Sequence, residues 1–316
     1  MATIGQWWDK IYHFTSCLSP WVIAASVIAI ANLKVLPFAW HIRILSGYLK
    51  YFYFDRRSIP PSSPTSLTVF QPTIYTSRAP MGELDYNMHK SNATYLTDLD
   101  IARGYHVYCL FRVGIKKYNT GAERRKGMFI PALGGVTLTF KREIKPYQKY
   151  DIWTRVLSWD DKWVYLVSHF VKAGSVKPTT FTDHPWRNKS PSSREPSAST
   201  AATPQVIIFT MCISKYAMKQ GRKTIPPVEF LQACELLPKT TDETPVSDPS
   251  DVSVGGTPGL TQRLSTHRAT SNPESGLLDA IEKRRQEGLG VAKNVASLDQ
   301  AFEWFRGDED AVFAYY

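Results

Sequence analysis

The 316-residue chain is short of cysteine: Cys17, Cys109, Cys212 and Cys234 are far apart and form no CxxC pair. That excludes a zinc knuckle and a small disulfide scaffold, and the four read as reduced thiols facing a cytosolic environment, with Cys109 a buried structural one. Also missing are a G-x-S-x-G elbow, a P-loop and an H-E-x-x-H pair. Serine hydrolase, nucleotide hydrolase and metalloprotease readings therefore have no starting point, and neither a cofactor nor a metal is called for. Negative charge is scarce as well, with 28 Asp and Glu against 38 Lys and Arg, a net charge of +10. The excess favours an anionic partner: nucleic acid, a lipid surface or the phosphates of a substrate. Nucleic acid is disfavoured, because the cations are spread without a helix-turn-helix, zinc or aromatic sheet motif to organise them. A hydrophobic content of 43% is enough for one sizeable core.

Charge is absent altogether from Ile11 to Leu33, and the stretch from Trp21 to Leu33 is almost wholly apolar. With roughly 20 apolar residues needed to cross a bilayer, this segment is just long enough for a single-pass anchor. A buried or interfacial helix, helped by Asn32, Lys34 and Pro37, is the alternative. Lys34, Arg43, Lys50, Arg56 and Arg57 on its C-terminal flank place the rest of the chain in the cytosol, on an intracellular membrane. Tyr48, Tyr51, Phe52, Tyr53 and Phe54 suit either the headgroup zone or the packing of a linker helix onto a domain.

Residues 1–58 are thus expected to form the anchor and a basic, aromatic juxtamembrane segment, and 59–67 a proline-rich linker. The folded domain is expected over 68–237. It begins with a strand over 68–77, followed by a helix over 93–117 and strands over 128–140, 147–158, 162–171 and 205–215. The turn Ser158–Lys162 predicts a hairpin. Residues 174–204, loaded with Ser, Thr and Pro, read as a flexible insertion, and 238–271 as a low-complexity linker. The tail, 272–316, is predicted to be helical twice: over 277–287 with Gly288 as a stop, then after a capping box at Ser297–Gln300.

The segment that carries chemistry runs from Asp85 to Arg103. A polar stretch rich in Asp, His and Asn leads directly into a helix, whose N-terminus presents free backbone N–H groups and partial positive charge. Such an end polarises a carbonyl or holds an oxyanion, and a carboxylate at Asp85 can attack that carbonyl or activate water. The plainer reading is that Asp85, Ser91 and Asn92 cap the helix. Gly134 and Gly135 inside a strand mark either a close backbone approach or a β-bulge. Lys116, Lys117, Arg124, Arg125 and Lys126 suit phosphate binding or a solvated loop.

Asp85, His89, Asn92-Ala93, Tyr95-Leu96 and Ala102-Arg103 together resemble the D-x-x-G-H-x-N-N-A-x-Y-L…A-R pattern of 4-hydroxybenzoyl-CoA-thioesterase-like hotdog proteins. Within that family the likeness is to THEM6-type membrane-associated members and to thioesterase-like proteins of fungal secondary-metabolite clusters. The resemblance implies an α+β hotdog fold, an antiparallel sheet wrapped around a long central helix. It also implies a homodimer with an acyl-CoA or acyl-carrier thioester bound at the subunit interface. Asp85, His89 and Asn92 would then be catalytic. Ala93, Thr94, Tyr95, Gly134, Gly135, Lys116, Lys117, Arg124 and Arg125 would contact substrate. Two departures are Met88 where the pattern has glycine and Ser91 where it has the first asparagine. They motivate an alternative, a catalytically silent hotdog that binds acyl ligands or partners at a membrane.

Overall fold

The computed structural model describes residues 19–54, 67–121, 123–124, 126–176, 178, 180–182, 206–238 and 273–304. Residues 1–18, with the first part of the charge-free run, residues 55–66, with Arg56, Arg57 and the linker, most of the insertion and of the low-complexity linker, Arg125 and the chain after 304 lie outside the described residues.

Two helices open the described chain, α1 (Pro20–Ala31) and α2 (Ala39–Leu49), the latter ending in a π-helical turn, Lys50–Phe54. The long central helix α3 (Asn92–Leu110) and its continuation α4 (Arg112–Thr120) lie between β1 (Thr73–Arg78) and β2 (Phe129–Phe140). There follow β3 (Lys149–Trp159), β4 (Trp163–Lys172), β5 (Ile208–Gln220), the short β6 (Lys223–Ile225) and α5 (Pro227–Ala233). A C-terminal helix, α6 (Pro273–Ala296), runs into a 3-10 stretch, Ser297–Trp304. The antiparallel sheet has the order β1-β3-β4-β5-β2, with β6 on β5. Its inner side packs on α3, giving a hotdog-like α+β fold.

The strands form where β-branched and aromatic residues alternate. On β3, Tyr150, Ile152, Thr154 and Val156 are buried toward the helix while the residues between them are half-buried. The predicted hairpin is present, and Asp160 closes it by accepting the N–H groups of Lys162 (2.8 Å) and Trp163 (2.6 Å). The helix expected as one piece breaks at Phe111, a fully buried side chain that packs against Phe230 of α5 at 5.3 Å. The redirected α4 then lies along α5.

Three expectations are corrected. No helix among the described residues is long and apolar enough to cross a membrane. Within the described part of the expected anchor, α1 has 12 residues, about 18 Å at ~1.5 Å per residue, against a bilayer core of about 30 Å. Beyond it Asn32 and a 3-10 turn, Leu33–Val35, lead through Phe38, in the left-handed region at φ 65°, into α2. Secondly, of the two readings of the aromatic run, residues 32–54 follow the packing of a linker helix onto the domain, because they pack on α3. A Cβ on Gly47 would sit 2.8 Å from the Tyr105 ring, so the backbone of α2 is pressed against that side chain, and Tyr51 is buried. Thirdly, α6 runs straight through Gly288. The bare Cα lets the helix back onto the sheet, since a Cβ there would lie 2.1 Å from the Leu157 carbonyl. Burial of Leu289 and Ala292 against Tyr165, Val167 and Ile213 outweighs the roughly 1 kcal/mol cost of a helical glycine. Ser297, read as opening a capping box, instead donates to the Asn294 carbonyl at 2.8 Å and closes α6.

Candidate active site

After β1 the chain makes a 3-10 turn, Met81–Glu83, and a tight loop that returns to α3. Leu84 and Lys90 bridge as in a hairpin, and Asp85 N–H donates to the His89 carbonyl at 2.9 Å. The Asp85 Oδ1 atom accepts the backbone N–H groups of Asn87 (2.9 Å) and His89 (3.4 Å). This turn fixes the carboxylate from one side and leaves Oδ2 outside these bonds. Met88, at the position of the pattern's glycine, has φ 60°. A left-handed residue is required there, and methionine adopts it at a cost glycine would avoid.

At the mouth of α3, the N-cap residue Ser91 makes no side-chain capping hydrogen bond. The capping reading of Asp85 and Ser91 therefore fails, because Asp85 is spent on its own loop. By helix geometry the N–H groups of Asn92 and Ala93 have no intrahelical acceptor, and both residues are exposed. Thr94 turns back, its hydroxyl donating to the Ser91 carbonyl at 2.7 Å. Tyr95 is buried, its ring 5.2 Å from those of Phe140 and Phe170. Burial pushes the Tyr95 hydroxyl up to about 12, and the nearby Asp85 charge adds to the effect. The phenol thus stays protonated as a wall of the site.

Beneath the loop lies a buried cluster of charges absent from the sequence-based expectation. The Lys90 ammonium, wholly buried, lies 2.6 Å from Glu83 and 2.9 Å from Asp98. Lys34, from the turn after α1, lies 2.7 Å from each of the same two carboxylates. Asp98 also accepts from Arg43 (3.1 Å) and from the Tyr150 hydroxyl. Burial alone would raise the Asp98 pKa, but Lys90 and Lys34 outweigh it and hold the carboxyl down at about 2. Burial dominates at Lys34, whose pKa is lowered despite its two anions.

The remaining expected residues are dispersed. The His89 imidazole stands at the rim, 3.2 Å from Glu143, with both side chains substantially exposed. Gly134 marks a β-bulge, and a Cβ there would meet the Trp163 ring at 2.3 Å. The close approach expected of these glycines is therefore to Trp163 at Gly134 and to the Lys215 side chain at Gly135. Gly134 and Gly135 lie six and five residues from Phe140, about 17–20 Å along the strand at ~3.3 Å per residue, so neither reaches the helix mouth. Lys117 pairs with Glu235 at 2.8 Å, and Lys116 lies over the Phe52 ring. Arg124 and Lys126 line a cleft of about 670 Å³ with Asn119, Gly127 and Met128. That cleft adjoins the start of β2, whereas Tyr95 touches its end, about 36 Å away by strand length. Within one subunit the basic cluster and the Asp85 loop lie at opposite ends.

Sequence reasoning passed over Glu83, Lys90, Asp98 and Lys34. Asp98 did carry a signal: it falls three residues after Tyr95 and four before Ala102, a carboxylate on the buried stripe of α3, which demands cationic partners.

The profile of the Thioesterase-like superfamily matches residues 79–191. The chain is 34% identical over 223 residues to the probable thioesterase atnL of Emericella nidulans, covering 66% of this chain and 69% of that one. With thioesterase lcsJ of Purpureocillium lilacinum the identity is 30% over 319 residues, covering 88% and 90%. Protein THEM6 of Drosophila melanogaster is 36% identical over 83 residues, 26% of this chain and 39% of that one. The loop and uncapped helix mouth thus sit inside the matched region, and the chain belongs to the thioesterase-like superfamily.

Proposed function

We propose that the chain hydrolyses an acyl-CoA or acyl-carrier thioester, with Asp85 as general base or nucleophile and the N–H groups of Asn92 and Ala93 polarising the carbonyl. The observation that carries this reading is the uncapped N-terminus of α3 at the end of a loop that holds the Asp85 carboxylate by its own backbone N–H groups. As general base, Asp85 takes a proton from water as the water oxygen bonds to the carbonyl carbon. The oxyanion gathers at the helix mouth, the C–S bond breaks, and the thiolate leaves and is reprotonated. As nucleophile, the carboxylate would form an acyl anhydride that water then opens.

In the same reading the protein is a homodimer joined along β2. That strand is at the edge of the sheet and exposes Ile130, Leu133 and Phe140. Antiparallel pairing of two β2 edges would carry the partner's basic cleft toward the Phe140 end, where it suits the phosphates of a CoA. The exposed apolar side chains of α1 and the following turn, Trp21, Val27, Ile28, Ile30 and Phe38, favour attachment to an intracellular membrane. Lys34 and Arg43 turn into the protein, so they are spent on Glu83 and Asp98 rather than on lipid. The substrate would then be drawn from lipid or secondary metabolism.

The full-length chain in detergent, assayed on acyl-CoAs of graded length and on acyl-carrier proteins, is expected to release free thiol from at least one. Saturable binding without any thiol release would establish the silent hotdog instead. Sedimentation of lysates from expressing cells at physiological salt is expected to bring the protein down with the membranes, and its recovery in the supernatant would overturn membrane attachment.

A further inference from the structure

The N-terminal turn reaches the candidate site from outside the sheet-and-helix core, and Lys34 is its charged contact. The Lys34 ammonium lies within hydrogen-bond distance of four acceptors that share its three N–H groups: the Arg78 carbonyl (2.8 Å), Glu83 and Asp98 (2.7 Å each) and the Tyr150 hydroxyl (3.1 Å). Its backbone is pinned alongside, because the Asn32 side chain accepts the Gly82 N–H at 2.7 Å and Val35 packs against Gly82. Lys34 therefore grips two things at once: Glu83, at the foot of the Asp85 loop, and Asp98, in the second turn of α3.

Both are buried anchors, one at the base of the loop and one on the helix. The Glu83 carbonyl accepts the Ser91 N–H at 2.8 Å, one residue before the helix mouth, and Leu84 bridges Lys90 to close the loop. Asp98 is fully buried on the helix that supplies the N–H groups. Lys90 makes the same pair of ion contacts from within the loop, so two ammonium groups clamp the loop to the helix. A buried ion network contributes little net stability, because desolvation offsets the attraction, but its fixed geometry holds one arrangement against alternatives. A displacement of about 1 Å between nucleophile and oxyanion donors is enough to cost on the order of a hundredfold in rate.

We infer that Lys34 is a positioning residue: the turn after α1 sets the distance between the Asp85 carboxylate and the N–H groups of α3, and makes the N-terminal segment part of the site. This rests on the thioesterase reading for its effect on rate, whereas its effect on the loop stands apart from it.

The test uses the full-length chain with Lys34→Met, which keeps the apolar stem, and Lys34→Arg, which restores the charge. Lys34→Met is expected to lower kcat about tenfold or more with KM within about twofold, and Lys34→Arg to recover part of it. Hydrogen exchange read by mass spectrometry is expected to speed several-fold in peptides covering 84–93 of the Met variant, with peptides of β3, β4 and β5 unchanged. Unchanged loop exchange, or an equal acceleration throughout the sheet, would overturn the inference, as would an undiminished kcat. If the unmodified chain cleaves no thioester, the thioesterase reading falls, and the exchange comparison still decides whether Lys34 holds the loop.

Discussion

The two ends of the central helix are held by opposite chemistry. At its N-terminus Asp98 and Glu83 are locked between Lys34 and Lys90, with Arg43 and Tyr150 on Asp98. Past its C-terminus the Phe230 ring packs against those of Phe111, Tyr118 and Phe129 at 5.3, 6.0 and 4.9 Å, and Trp159 stacks on Phe70. Aromatic burial is favourable wherever the rings find space, so that end secures the fold with loose geometric demands. Buried ion pairs return little net energy but accept few arrangements. The loop that presents Asp85 is attached to the end where geometry is dictated.

If this division is right, substitutions at the two ends should separate stability from rate. Phe230→Ala should reduce the unfolding free energy by about 3–5 kcal/mol while leaving the KM and kcat of the folded fraction close to wild type. Denaturant unfolding alongside steady-state kinetics would show it, and a large loss of kcat at native temperatures would break the comparison. Asp98→Ala leaves cations facing no carboxylate at that point and should cost about 3–5 kcal/mol, with kcat falling as well. A variant equally stable and fully active would show that the charged end is ornamental.

Acid should act on both ends of α3 through two buried groups. Burial pushes the His106 pKa down from 6.5 to about 3, so as pH falls below 6.5 the unfolded chain takes up a proton that the native imidazole refuses. That contribution is complete above pH 6.5 and is lost as pH falls toward 3. Asp98, held down at about 2 against an ordinary 3.8, contributes fully above 3.8 and loses its share as pH falls toward 2. Melting temperature against pH should therefore decline in two stages, and His106→Gln should flatten the upper one. A smaller effect is expected at Met88, where glycine would relieve a left-handed methionine. Met88→Gly should stabilise the loop by up to about 1 kcal/mol, visible as slower hydrogen exchange over 84–90, and faster exchange would mean that the side chain itself is needed.

Much of the fold was legible because its signals are local. The β-branched and aromatic alternation over Tyr150–Val156, the Asp160 turn, and the polar stretch leading into Asn92 each lie within a few residues. The clamp was not, because Lys34 is 64 residues from Asp98 and shares no pattern with it. The reach of α6 was misjudged at Gly288, since local propensity favours a stop and only contact with Leu157 reverses it. The basic cluster was recognised as a cluster, yet its distance from Asp85 depends on the direction in which β2 leaves α4, which no run of residues records.

The central claim turns on one carboxylate. Asp85→Asn keeps the size and the acceptor oxygen that Asn87 and His89 address but removes the base. With a cleaved thioester in hand, the variant should lose on the order of a hundredfold or more in kcat with an unchanged melting temperature. Wild-type turnover by a folded Asp85→Asn protein would contradict the account.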